Sequence, residues 1–146
     1  QVGRRGLGRI RIRQIPDASA DSLQGFVRET ITPGSLIHTD GWVGYDRLEQ
    51  SGYRHRITFV KGQRKSAADL LPRVHQVVSL LKRWLLGTHH GAVSFDHLDY
   101  YLDEFTFRFN RRRSRSRGKL FYRLAQHAVA VEPVPYKNLI VPDHNM

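Results

Sequence analysis

Apolar residues recur at two different periods along this chain, and the periods predict its elements. Between Leu70 and Gly91 the residues Leu70, Val74, Val77, Val78, Leu81 and Leu85 fall three or four apart. That spacing is the apolar stripe of an amphipathic helix. Asp69 stands where an N-cap is expected and Gly87 where the helix is expected to stop. Beside the stripe lie His75, Ser79 and Lys82, and His75 and Lys82 share one face, two turns apart. The same period runs through Phe95, Leu98, Leu102, Phe105 and Phe109, which predicts a helix from Phe95 to Asn110 with Ser94 as its cap. Its acidic residues come early and its arginines late, as the helix dipole favours. A shorter helix is expected after Asp17 or Ser19, running to about Glu29 with Leu23, Phe26 and Val27 inward. A last one is expected from Leu120 to about Ala130, with Leu120, Phe121, Leu124 and Ala128 inward.

Period two appears elsewhere. In Leu7 to Ile15 isoleucines alternate with Arg9, Arg11 and Arg13, which predicts a strand with one basic face, ended by Pro16. Ser35 to Thr39 follows the Pro33-Gly34 turn and reads as a short buried strand that delivers Asp40 at its end. One or two helical turns are expected over 44–50, and Tyr53 to Val60 alternates as another strand. Strands alternating with helices argue an α/β domain with a mixed sheet. The segment from Glu132 onward carries three prolines and is expected to be extended.

Composition narrows the chemistry. At 146 residues and 40% hydrophobic, the chain can bury one ordinary core. It has no cysteine, which removes disulfides, thiolate nucleophiles and cysteine-ligated zinc. No apolar run is long enough to span a membrane and no signal peptide opens the sequence, so a cytoplasmic protein is expected. The chain starts at Gln1 and its single methionine is Met146, which is expected of a piece of a longer protein. The net charge of +11 favours polyanionic partners, nucleic acid first. The densest basic run, Arg108 to Lys119, suits sequence-independent phosphate contact, with Arg111, Arg112, Arg113, Arg115, Arg117 and Lys119 as candidates. Its bland alternative is a solvated basic linker. Arg9, Arg11 and Arg13, and the basic loop of Lys61, Arg64 and Lys65, add to the charge.

Asp40, between a buried strand and Gly41, sits where α/β sheets place functional groups, although a turn Asp in Thr-Asp-Gly is common. His75 and Lys82 are unremarkable singly. The adjacent His89 and His90 are a weak metal signal. The carboxylates Asp96, Asp99, Asp103 and Glu104 read better as a solvated helix face than as a cation site.

Three blocks in order, HTDGWVGY (38–45), SLLKRWLLGTHHG (79–91) and HLDYYLDEFTFRFNRR (97–112), resemble the catalytic domain of ISXO2-like transposases of the IS1595 group. The resemblance implies a ribonuclease H-like fold, with the core over 1–110 and a basic linker, short helix and extended tail over 111–146. It implies metal-dependent cleavage and strand transfer of double-stranded DNA in a bacterial cytoplasm, with Mg²⁺ or Mn²⁺ held by acidic residues, in a homo-oligomer. Asp40 matches the second catalytic aspartate. His75 falls at the third ligand position, where relatives carry Glu or Asn. Lys82 matches the basic residue that holds DNA phosphate, with Arg83 beside it. Two features implied by the resemblance are not found: a first catalytic aspartate on a strand upstream of LGRIRIRQI, and a cysteine-ligated zinc ribbon. The expectation is therefore the C-terminal portion of a transposase, lacking its first strand or strands, with little or no strand transfer. The alternative is a non-catalytic, basic DNA-binding remnant.

Overall fold

The computed structural model describes residues 6–59, 67–90 and 93–137. The element order is α1 (Ala20–Thr30), β1 (Leu36–Thr39), a 3-10 turn (Val43–Tyr45), β2 (Arg54–Ile57), α2 (Ala67–Leu70), α3 (Pro72–His89), a second 3-10 turn (Phe95–His97), α4 (Leu98–Arg111) and α5 (Arg117–Ala130). Among the described residues the sheet has two strands, β1 and β2, paired in parallel with Leu36 opposite Arg54 and Thr39 opposite Ile57. The fold is thus α/β with a small parallel sheet, not the expected mixed one.

The missing member is the alternating segment from Leu7 to Ile15, which lies outside any strand. Alternation prepares a chain for a ladder, but a strand exists only with a hydrogen-bonding neighbour. Here the segment is held by side chains. The Asn110 amide accepts from the Ile10 N–H at 2.7 Å and donates to the Ile10 carbonyl at 3.0 Å. Arg112 donates to the Leu7 carbonyl at 2.5 Å, and Arg13 pairs with Glu29 of α1. The segment therefore straps α4 and α1 together and lies across a cavity from α3.

α1 forms as its sequence predicts. Ser19 is the N-cap, its hydroxyl accepting from the Ser22 N–H. Val27 of α1 packs with Leu48 and Tyr53 in a small core flanked by Ile31, Ile37 and Tyr45. Within this core the Tyr53 hydroxyl donates to the Ile31 carbonyl at 3.0 Å. β1 is less buried than expected, since Leu36 is exposed and only Thr39 is enclosed.

The long helical pattern divides in two. Leu71 takes φ −125° and ψ 57° because Pro72 follows it, and a residue before proline is driven out of the helical region. Proline is then well placed as the first residue of α3. Asp69 consequently lies inside α2 and is not the cap of the long helix. Gly87 does not end α3 either: a helix passes through glycine at modest cost, and α3 stops at His90, whose φ of 51° is left-handed. Its apolar stripe is not a buried one, as no α3 residue is fully buried. Instead Val74, Val77, Val78 and Leu81 face the 7–12 strap across a 450 Å³ cavity, while Leu80 and Trp84 face α4.

α4 begins at Leu98, after the 3-10 turn that Ser94 precedes, and it buries Leu102, Phe105 and Phe109. The basic run is mostly not a linker: α4 reaches Arg111 and α5 starts at Arg117, leaving only 112–116 between them. Of the apolar residues of α5 expected inward, only Leu120 is partly buried. Phe121 and Leu124 are exposed, so this helix stands clear of both cores. The chain from 132 to 135 has no regular structure, in line with its prolines. The expected basic loop at 61–65 lies outside the described residues.

Candidate active site

The turn after β1 is tightly specified. Thr39, the last residue of β1, is buried and its hydroxyl is 2.8 Å from His55 Nε2 on β2. The same hydroxyl accepts from the Gly41 N–H at 3.4 Å. Asp40 follows at the strand's C-terminal end, exposed, with Oδ1 accepting from the Trp42 N–H at 3.2 Å. This is an Asx turn, a local bond that orients the carboxylate. Gly41 has φ of +84°, and a Cβ there would come within 2.9 Å of Ile57 and 2.8 Å of Phe59. Only glycine fits that position. The Trp42 indole N–H donates to the Ala18 carbonyl at 3.0 Å and so ties the turn to the entry of α1. At Gly44 a Cβ would meet Leu23 at 2.6 Å, and the buried Gln24 amide donates to the Gly44 carbonyl at 3.4 Å. The HTDGWVGY block is thus built to hold one carboxylate at the mouth of the sheet.

Two neighbours of Asp40 were not singled out by sequence reasoning. Tyr45 is half-buried, and its phenol is raised above the ordinary value of 10.0 by burial first and by the negative charge of Asp40 second. His38 precedes Asp40 by two positions on β1, and its Nε2 is 2.7 Å from the Thr58 hydroxyl. His38 also lines a 390 Å³ cavity with the chain from Leu70 to Val74 at the start of α3. The signal for both lay in the motif itself, since residues two apart on a strand share a face and Tyr45 closes the block.

His75 stands in the first turn of α3, partly buried, and its N–H donates to the Leu71 carbonyl at 3.2 Å. Lys82 is exposed, two turns further along. Among the described residues no three His, Asp or Glu side chains gather closely enough to hold a metal ion. Among these residues neither Asp40 nor His75 belongs to such a group. His89 and His90 do not converge. The His89 ring is wedged between Trp84 and Tyr101 at 4.9 and 4.5 Å, whereas His90 is exposed. Asp17, the acidic residue nearest the N-terminus, is occupied in capping: its Oδ1 accepts from the Ser19 N–H at 2.9 Å and from the Ser22 hydroxyl at 2.8 Å. Hydrogen bonding from the Ser19 side chain first, then from the Ser19 N–H and the Ser22 hydroxyl, holds its carboxyl below the usual range.

The basic candidates separate into two groups. Arg111 and Arg112 lie over the rings of Phe107 and Phe109, at 3.8 and 3.9 Å. Arg112 also spends its donors on the carbonyls of Phe109, Leu7 and Gly8. Lys82, Arg83, Arg113, Arg115 and Lys119 are exposed. Arg117 begins α5.

The model of the ISXO2-like transposase domain matches residues 2–110. The chain belongs to this family. Searches of curated proteins and of solved structures return no match. Family membership associates the domain with DNA transposition, makes DNA its substrate class and implies divalent-metal use in general. Among the described residues of this transposase domain no helix is long and apolar enough to cross a membrane.

Proposed function

We propose that this chain is the DNA-engaging part of a transposase catalytic domain of ribonuclease H-like fold. In this reading Asp40 is its catalytic carboxylate, His75 stands at the third ligand position, and Lys82 with Arg83 holds DNA phosphate. The observation that carries the reading is the construction around Asp40. A turn that admits only glycine at position 41, and is anchored through Trp42 to another element, exceeds what a solvated loop aspartate needs. The family match supports the same assignment.

The described residues do not supply a complete donor set for a divalent ion, because Asp40 and His75 join no third ligand. Replacing a carboxylate by a neutral imidazole also leaves such a site one negative charge short, and imidazole suits softer ions than Mg²⁺. We therefore assign these residues orienting and electrostatic roles. The Trp42 N–H fixes the Asp40 carboxylate, and the exposed cations of α3 attract the phosphate backbone to the domain. Little or no strand transfer is expected of the chain by itself. The test is a cleavage and strand-transfer assay on transposon-end duplexes with Mg²⁺ or Mn²⁺, using Asp40→Ala as control. Strong activity that survives Asp40→Ala refutes the assignment.

A second reading, DNA binding without catalysis, is favoured by the exposed Arg113, Arg115 and Lys119. It predicts duplex affinity that falls steeply with salt, unaffected by Asp40→Ala; a flat salt curve counts against it.

A further inference from the structure

A cavity of 580 Å³ opens between the strap at Gly6 and Leu7, the α3 face carrying Leu80, Arg83 and Trp84, and the C-terminal half of α4. Its floor is apolar and aromatic, from Leu80, Trp84, Phe105 and Phe109. Its rim carries four arginines, Arg83, Arg108, Arg112 and Arg113, and among the described residues no carboxylate lines it. The four are not equivalent. Arg108 is paired with Glu104 at 2.7 Å, and Arg112 is engaged with backbone carbonyls. Arg83 and Arg113 are exposed and make no hydrogen bond or ion pair among the described residues.

A flat apolar pocket with two uncommitted guanidinium groups at its mouth selects a molecule with an aromatic face and an adjoining anion. A nucleotide has that form: the base stacks on aromatic side chains and the phosphate meets arginine. The volume lies within the range of ligand pockets for molecules of that size. Gln76, also in the lining, offers an amide to the edge of a base. The exposed helix α5 would be the obvious apolar occupant, from this chain or a second copy. It is itself basic, with Lys119 and Arg123, and the arginine rim opposes it.

We infer that this cavity receives a single unstacked nucleotide of the DNA, with its base against Trp84 and its phosphate between Arg83 and Arg113. The inference rests on the proposal that the chain handles DNA, and assigns it a site away from Asp40. The test uses the full chain and fluorescence anisotropy with three labelled duplexes: blunt, carrying one unpaired thymidine at an end, and carrying an abasic nucleotide in its place. The unpaired thymidine is expected to bind about tenfold more tightly than the other two. The chain has two tryptophans, and the overhanging base is expected to quench emission in the wild type but not in Trp84→Phe. Arg83→Gln and Arg113→Gln, both on exposed side chains, are expected to bring the ratio of overhang to blunt affinity close to one. Equal affinity for all three ends, with DNA binding intact, overturns the nucleotide seat and leaves the DNA reading standing. No binding to any of the duplexes overturns both. Competition by an acidic, aromatic peptide without any base preference reassigns the cavity to a protein partner and overturns the inference.

Discussion

The side-chain amide of Asn110 closes on both backbone polar groups of Ile10, a residue 100 positions earlier. It does for one residue what a neighbouring strand does for alternate residues of a ladder. Asn110→Ala removes both bonds and leaves the partly buried Ile10 groups to find water. A loss of about 2 kcal/mol is expected, at about 1 kcal/mol per bond. Chemical denaturation measures it, and trypsin should cut faster at Arg9 and Arg11 in the variant. An unchanged midpoint together with unchanged cleavage would show that the strap is held elsewhere.

Gly41 sets the position of Asp40. Gly41→Ala places a Cβ against Ile57 and Phe59 in a backbone conformation that alanine rarely adopts. A destabilisation of about 1–3 kcal/mol is expected from such strain. Any DNA-cleaving activity should fall with it, even with Asp40 intact. Thermal melting separates the two effects from simple unfolding.

Tyr45 reports the charge on Asp40. Its folded value is raised above 10.0, so its contribution to stability is fully present below pH 10.0 and is lost as pH rises through the folded value. Asp40→Asn removes the charge and leaves the burial, so the Tyr45 phenol should ionise at lower pH than in the wild type while staying above its ordinary value. Difference absorbance against Tyr45→Phe isolates this tyrosine from the other five. A divalent cation captured at Asp40 should shift the titration in the same direction, and no shift at saturating Mg²⁺ or Mn²⁺ would argue that Asp40 takes no ion.

His89 carries a cost that a substitution can remove. Its Nε2 is buried without a hydrogen-bond partner among the described residues, while its ring packs on Trp84 and Tyr101. His89→Phe keeps an aromatic ring there and removes the unsatisfied nitrogen, so it should stabilise the fold by about 1 kcal/mol. Differential scanning calorimetry would reveal it; a lower melting temperature would mean that the site does not tolerate the larger ring.

Local signals were legible wherever one element decides its own state. Ser19 with its apolar stripe predicts α1, Pro33-Gly34 predicts the entry to β1, and the Phe105 and Phe109 spacing predicts α4, because caps and periodicity act over a few residues. The failures concern partners. Ile10 and Ile12 alternate like a strand, yet no described segment pairs with them to complete a ladder. Phe121 and Leu124 form a stripe on α5, yet among the described residues they are exposed. Pro72 was visible, but the periodicity of the apolar stripe ran across it and hid the break at Leu71. At the candidate site, Asp40 and its glycine could be read directly. The dependence of Tyr45 on Asp40 lay within the same block but rests on burial that spacing does not encode, and the pocket around Trp84 arises from the approach of separate elements.

The clasp between Ile10 and Asn110 also imposes an order on synthesis. Asn110 and Arg112 emerge from the ribosome 100 and 105 residues after the Ile10 and Leu7 groups they hold. At about 5–20 residues per second that is a delay of about 5–20 s. During that time the alternating basic segment is translated and unfastened. The element that straps the helices together is made before them and is secured only when α4 has been completed.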